Sequence, residues 1–255
     1  LIGVRFIFSF YGIFQDDFAS LLSILVKRGF LESVIALFLF AVIARKTTRE
    51  DIRYLLKNTR VYIVIITLFL VGGFAVGVLL QSLLHGLLQG IFEDLAREGE
   101  RILSIPTYQQ SIFIFGNNSG VAVLSGIFAP FFPVIGLLVP PFIMFFNGIV
   151  IGAAPGIIEM SWAHYFAAIL PHGILELPAL VLASAVGLKF GVSVLKACIG
   201  YVFPPLGMSG RDTFLREIRP GWRSLKLFAV IIPMLVVAAV IEAFVTPQVM
   251  RVLGI

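Results

Sequence analysis

Five polar side chains interrupt long apolar stretches of this sequence, and their types are those that bind ions or polar solutes: Asn117, Asn118, Asn147, His172 and Glu176. His172 and Glu176 are four residues apart, which places them on one face of an α-helix. An imidazole, a carboxylate and several amides in an apolar setting can bind a cation, a proton or a small solute. The same side chains can also join helices by hydrogen bonds, so a structural role and a binding role both stay open.

The residues around this pair do not complete a catalytic or metal-binding motif. The chain has three histidines, His85, His164 and His172, and no H-E-x-x-H motif. His172 and Glu176 supply only two metal ligands, fewer than a zinc site requires. The aspartates all fall in predicted loops, so a Ser-His-Asp triad has no buried acid. We therefore expect a non-enzymatic protein with no catalytic residue, no metal and no cofactor.

The helices that carry these residues belong to a membrane protein, because the composition is too apolar for a soluble domain. Of 255 residues, 59% are apolar and 13% are charged, and the mean hydropathy is +1.04. Soluble domains have about 45–50% apolar and about 25% charged residues. This excludes a cytoplasmic enzyme and a disordered chain, and the single Cys198 excludes a disulfide-rich secreted domain. We predict an all-α fold, a polytopic bundle of transmembrane helices in contact with the lipid bilayer.

Six stretches are predicted to cross the membrane, given that a transmembrane helix needs about 20 apolar residues. The predicted spans are about 30–44, 61–84, 111–129, 134–154, 164–187 and 225–245. The last of them contains a carboxylate, Glu242, near its end. Residues 29–255 are thus predicted to form one transmembrane domain, whereas residues 1–28 fit an interfacial amphipathic helix or an additional span.

The charged segments between the spans predict how the chain is oriented. Basic residues dominate 45–60 and 189–226, and acidic residues dominate 85–110. The positive-inside rule places the two basic segments in the cytoplasm and 85–110 outside, in a multi-pass protein of the cell membrane. Within 85–110, an apolar stripe broken at Gly99 predicts a helix on the outer membrane surface or a helix that docks a partner. The apolar stretch 191–203 is too short to span and predicts a re-entrant or surface-lying helix.

Polar residues of three consecutive spans fall at a similar estimated depth. With a rise of about 1.5 Å per residue, Asn117, Asn147 and His172 lie roughly 10–12 Å below the outer surface, and Glu176 lies one turn deeper. Asn118 follows Asn117 in the same span. The sequence therefore predicts one shared polar cluster in the outer half of the membrane.

Helix-breaking residues surround the His–Glu pair. Pro171 and Pro178 flank it and Gly173 lies within it, so we predict that this transmembrane helix is kinked or interrupted at these three positions. Irregular backbone at membrane depth is tolerated where it is buried or lines a wet cavity. In transporters, such broken helices often mark the binding site.

Three short motifs, taken in order, resemble the stage II sporulation protein M family of integral membrane proteins. They are N-N at Asn117–Asn118, N-G at Asn147–Gly148 and P-H-G-x-x-E at Pro171–Glu176, within a resemblance that covers about residues 45–245. The resemblance implies a polytopic membrane protein. The namesake is needed for engulfment during endospore formation, where it tethers or organises cell-wall hydrolases at the septal membrane. Relatives occur in organisms that form no spores, so the resemblance implies a more general shared role and assigns no catalytic residue.

Two functions are consistent with these features. The first is a membrane scaffold that organises protein partners through 85–110 or 189–226. The second is a channel or carrier that moves an ion, a proton or a small solute through the predicted Asn/His/Glu cluster. Glycine pairs such as Gly73/Gly77 and Gly148/Gly152 allow close helix packing and would also allow a homodimer. The net charge of +5 does not indicate a nucleic-acid partner, because Lys and Arg in membrane proteins first reflect topology.

Overall fold

The computed structural model describes residues 30–132 and 134–252, where the chain is α-helical and contains no β-strand. The predicted all-α class is therefore confirmed. The predicted interfacial helix or extra span at 1–28 lies outside the described residues. The helices are α1 Phe30–Ala44, α2 Arg49–Leu79, α3 Gln81–Leu103, α4 Thr107–Val123, α5 Ile135–Ile157, α6 Trp162–Val202, α7 Gly210–Ser224, α8 Phe228–Phe244 and α9 Thr246–Val252. A π-helical turn, Leu124–Phe128, extends α4.

Three helices begin at polar side chains that cap free backbone amides. At the start of α2, Thr48 Oγ1 accepts from the Asp51 amide and the Asp51 carboxylate accepts from the Thr48 amide, which is a capping box. Ser161 caps α6 and Ser209 caps α7, each by accepting from the amide three residues later. These caps set the first residue of each helix independently of where its apolar segment begins.

Four helical stretches of the described chain are long and apolar enough to cross a membrane. They are Arg49–Leu79, Gly136–Ile157, Trp162–Val202 and Gly210–Val252, the last of which contains α7, α8 and α9. Helix α1 is apolar but has only 15 residues. Helix α4 carries two glutamines and two asparagines among its 17 residues. The two corresponding spans, 30–44 and 111–129, stay predictions.

Helix α6 corrects the prediction of a proline-interrupted span. It runs as one α-helix from Trp162 to Val202, with Pro171, Gly173 and Pro178 inside it. Each proline removes a single amide donor, and a helix packed within a bundle tolerates that loss without ending. The apolar stretch 191–203 is likewise no separate re-entrant helix, because it continues α6.

Two predicted loops are also largely helical. Helix α2 includes most of the basic segment 45–60, and it ends at Leu79, before the predicted end of the span 61–84. Helix α3 is continuous through Gly99, the residue at which the apolar stripe is broken. Several side chains of the predicted apolar stripe on α3 lie outside the described residues. Its placement on the membrane surface therefore stays a prediction.

Helices α2 and α5 pack backbone against backbone through four glycines. A Cβ added at Gly73 or Gly77 would overlap the α5 backbone, and one at Gly148 or Gly152 would overlap the α2 backbone. The predicted close packing of these glycine faces thus occurs within the chain. These four positions are consequently not available as a face for a homodimer.

A buried lysine marks one end of the bundle. Lys189 of α6 donates from Nζ to the Asn58 carbonyl oxygen at 3.3 Å and to Thr59 Oγ1 at 3.2 Å, both on α2. Lys189 is only 7% exposed. The two acceptors immediately precede the uncharged apolar part of α2, so Lys189 lies at the boundary between the apolar and basic parts of the molecule.

Beyond Lys189, α6 and α7 form a helical hairpin. Helix α7 packs back along α6, so that Gly200 contacts the Thr213 side chain and Gly221 lies against Phe190. A side chain larger than hydrogen at either glycine would overlap the opposite helix. We name residues 190–224 the basic hairpin.

Candidate functional site

Three side chains with ligand-type atoms meet inside the bundle. His172 and Glu176 extend from α6, and Glu242 extends from α8. One ligand atom from each lies within 4.8 Å of those of the other two, and all three residues are partly buried. We name them the His–Glu–Glu cluster. Because two carboxylates this close repel one another, a proton or a cation is needed between them.

A threonine orients the imidazole of the cluster. Thr246 Oγ1 lies 3.3 Å from His172 Nδ1 and donates to the Ile241 carbonyl oxygen at 3.5 Å. In this arrangement the hydroxyl oxygen is placed to accept a hydrogen from Nδ1. A histidine that carries its hydrogen on Nδ1 keeps a free lone pair on Nε2, which can then act as a ligand or a base.

Asn118 of α4 lies against the carboxyl of Glu176. Its side chain is completely buried, and in this geometry neither its oxygen nor its nitrogen completes a regular hydrogen bond. One carboxylate oxygen of Glu242, Oε2, is buried without a hydrogen-bond partner as well. Unpaired polar atoms in a protein interior are costly, so their concentration here indicates a site built to contact something polar.

The cluster lies in the part of the bundle remote from the basic hairpin. Along α6, a rise of about 1.5 Å per residue puts Glu176 about 20 Å and His172 about 26 Å from Lys189. The predicted position of the cluster in the outer half of the membrane stays a prediction. The basic end and the polar cluster are therefore separate features of the molecule.

Two of the predicted cluster residues behave differently. Asn147 donates from Nδ2 to the Ile143 carbonyl oxygen of its own helix at 2.8 Å. Within the described residues no hydrogen bond joins Asn147 to His172 or Glu176. Asn117 buries its Nδ2 without a partner, and it lies about 100° around α4 from Asn118, so the two amides leave the helix in different directions.

Glu242 and Thr246 were missed by the sequence-based prediction of the site. Glu242 is a carboxylate in a predicted span, which is the signal that could have found it. Counted along the predicted span 225–245, Glu242 lies near the end and Glu176 lies deeper in its own span, so residue counting separates the two. The helical stretch does not end there, because α9 follows α8 directly and continues it to Val252.

Near the basic hairpin, an ion pair joins α2 to the segment before α8. Lys226 Nζ lies 2.8 Å from Asp51 Oδ2. The hydrogen bond from Lys226, followed by the one from the Thr48 amide, lowers the pKa of Asp51 from 3.8 to about 2. The pair borders a cavity of about 160 Å³ that Tyr54 and Arg223 also line. Ligand pockets usually have about 300–1,000 Å³, so this cavity is not a candidate binding site.

The basic hairpin exposes apolar side chains at its tip and arginines along α7. The exposed apolar residues of the tip are Ile199, Tyr201, Val202, Phe203 and Leu206. Arg216 pairs with the neighbouring Glu217 at 3.0 Å. Arg211, Arg219 and Arg223 are exposed and make no ion pair or hydrogen bond within the described part of the chain.

The apolar helices and the buried polar cluster define an α-helical integral membrane protein. The family described as stage II sporulation protein M matches residues 63–247, which is more than half of the chain, and the chain belongs to this family. The matched region includes α5, α6 and α8 and therefore the whole His–Glu–Glu cluster. Comparisons with curated proteins and with solved structures give no significant match.

Proposed function

We propose that this family member is a non-enzymatic scaffold of the cell membrane that organises a partner protein through the basic hairpin on the cytoplasmic side. The observation that carries the proposal is the tip of the hairpin, where five large apolar side chains are exposed. Proteins rarely expose contiguous apolar surface outside interaction sites. The arginines of α7 support the cytoplasmic orientation through the positive-inside rule.

The hairpin is suited to present a binding surface because aromatic contacts join its two helices. Phe190 contacts Trp222 edge-on at 6.0 Å between ring centroids, and Tyr201 contacts Phe214 edge-on at 6.4 Å. These ring contacts join α6 to α7 at both ends of the hairpin. A surface held in one conformation loses little conformational entropy when a partner binds, which favours affinity.

The charge of the hairpin indicates the chemistry of the partner. Arg211, Arg219 and Arg223 are free to pair with carboxylates, and arginine does so through two parallel hydrogen bonds. Arg211 lies beside the apolar tip, because the neighbouring Gly210 contacts Tyr201, whereas Arg219 and Arg223 lie further along α7 toward Phe190. The complementary partner is therefore a protein surface with an apolar pocket for the tip and carboxylates along the side that faces α7.

The length of the hairpin favours a protein partner over the lipid surface. From Lys189 to Val202, α6 extends about 20 Å past the boundary of the apolar bundle. Interactions between exposed charges are largely screened beyond about 10 Å in 0.1 M salt. Arg211, which is the arginine next to the tip, thus lies beyond the range at which anionic lipid would attract it.

Photo-crosslinking from Leu206 in living cells tests the scaffold function. A photoreactive residue at Leu206 is expected to give discrete protein adducts, and Leu68, which is exposed on the apolar part of α2, serves as the lipid-facing control. The combined change Arg211→Glu and Arg219→Glu should abolish the adducts without changing expression. Only lipid adducts from Leu206, or protein adducts that survive both charge reversals, would contradict the proposal.

The His–Glu–Glu cluster supports a second candidate, a carrier that moves a cation or a proton. Its buried carboxylates and imidazole are the groups on which ion pathways in membranes depend. The test is ion or proton flux into liposomes that contain the full chain. Flux that Glu176→Gln abolishes would support a carrier, and no flux of any common cation between about pH 5 and 8 would count against it.

A further inference from the structure

We propose that the His–Glu–Glu cluster binds one divalent transition-metal ion through His172, Glu176 and Glu242, and that Asn118 completes the site. The inference rests on neither the scaffold nor the carrier function, because a bound ion can hold helices together without moving. It also goes beyond the sequence, in which His172 and Glu176 supply only two ligands. The third, Glu242, comes from α8, more than sixty residues later in the chain.

The ligand set indicates the class of ion. Imidazole nitrogen favours zinc, iron, nickel and copper over magnesium and calcium, which prefer oxygen ligands alone. Carboxylate oxygens are compatible with zinc, iron and manganese. One imidazole with two carboxylates therefore selects Zn²⁺, Fe²⁺ or Mn²⁺. A divalent ion also cancels the charge of the two carboxylates, which a low-dielectric interior otherwise penalises.

The unpaired atoms around the cluster are the independent observation that points to a ligand. Among the described residues, four buried side-chain nitrogen or oxygen atoms lack a hydrogen-bond partner. Three of them, both amide atoms of Asn118 and Oε2 of Glu242, belong to this site. Asn118 is 0% exposed and lies against Glu176. Its oxygen is a suitable fourth ligand, and its nitrogen is a suitable donor to the Glu176 carboxylate.

Thr246 gives the site the support that metal-binding histidines usually have. A ligating histidine commonly donates its second ring nitrogen to an oxygen, which fixes the ring and its tautomer. Here the Thr246 hydroxyl lies at Nδ1 of His172 and leaves Nε2 free. The metal would then join α6 to α8 and contact α4, three helices that surround the site.

The experiment uses the full chain, purified in detergent and stripped of metal with a chelator. Equilibrium dialysis against Zn²⁺ or Mn²⁺, with metal content measured by mass spectrometry, is expected to give about one ion per chain, in agreement with the one such cluster among the described residues. Ca²⁺ and Mg²⁺ serve as oxygen-preferring comparison ions and should bind much more weakly. The unfolding temperature should rise when Zn²⁺ or Mn²⁺ is added.

Variants assign the binding to these residues. Glu176→Gln and Glu242→Gln keep the side-chain volume and should weaken binding by about 100-fold or more, and Asn118→Ala by about 10–100-fold. The matched controls His164→Ala and Glu100→Gln alter exposed residues and should bind as the original chain does. If Glu176→Gln does not fold, Glu242→Gln and Asn118→Ala decide the question.

Three results would overturn the proposal. One is a folded original chain that binds none of the transition metals at about one ion per chain. Another is unchanged affinity in folded Glu242→Gln, which would place any bound metal elsewhere. The last is binding of Ca²⁺ or Mg²⁺ as tight as that of Zn²⁺ and Mn²⁺, which would contradict the role of the imidazole.

Discussion

Replacing Gly73 by alanine is expected to separate α2 from α5 and destabilise the bundle. An added Cβ would overlap the Phe145 carbonyl oxygen and would lie 2.8 Å from its carbon and 3.1 Å from the Ile149 nitrogen. Ordinary contact begins at 3.4 Å, so the two backbones must move apart by about 0.6 Å or more. Overpacking costs about 1–3 kcal/mol, and the upper end applies because the obstructing atoms are backbone.

The neighbouring Gly72 provides a matched control. A Cβ there meets nothing within 4 Å. Alanine is preferred to glycine in a helix by about 1 kcal/mol, so Gly72→Ala should leave the free energy of unfolding unchanged or raise it. Gly73→Ala has the same gain in helix propensity but also the cost of overpacking, so its free energy of unfolding should fall by a net amount of about 2 kcal/mol. Denaturant unfolding of both variants in one detergent measures the difference, and equal stabilities would refute the backbone contact between α2 and α5.

Three further changes test other contacts. Ser184→Ala leaves the buried Ser125 hydroxyl, 2.9 Å away, without its partner and should lower the free energy of unfolding by about 1–3 kcal/mol. Changing both serines to alanine should lower it by less than the sum of the two single losses. Additive losses would contradict a hydrogen bond between these hydroxyls. Thr48→Ala removes the capping box of α2 and should cost about 1 kcal/mol, seen as a lower unfolding temperature. The pKa of Asp51 is lowered from 3.8 to about 2 by folding, so its contribution to stability is present above about pH 4 and is lost as pH falls towards 2. Asp51→Asn should remove that part of the acid dependence of stability, Glu50→Gln should keep it, and identical acid profiles for the two variants would argue against the ion pair.

The class of fold could be predicted from composition, but helix ends could not be predicted from apolar segments. Apolar residues indicate where lipid can surround a helix, and they do not show where its hydrogen bonds stop. Helix α2 begins at Arg49 because Thr48 caps it there, well before the uncharged apolar segment that starts at Val61. Helix α6 continues past Lys189 because the hairpin partner α7 covers its far end.

Part of the polar cluster could be predicted from local spacing. His172 and Glu176 share a helix face because they are four residues apart. Glu242 could not be placed, because the apolar segment ends near it whereas the helical stretch continues through α9 to Val252. The amide of Asn147 bonds to the Ile143 carbonyl of its own helix, a side-chain conformation that residue spacing does not determine.

The central claim is that the carboxyls of Glu176 and Glu242 meet between α6 and α8. Cysteines at these two positions, in a chain with Cys198→Ser, can be tested in native membranes with a short thiol-reactive crosslinker. A control pair joins position 176 to position 240, where Val240 is exposed on another face of α8. If the two carboxyls meet, the pair 176 and 242 should crosslink efficiently and the pair 176 and 240 should crosslink little. Equal crosslinking of both pairs, or of the control pair alone, would contradict the claim.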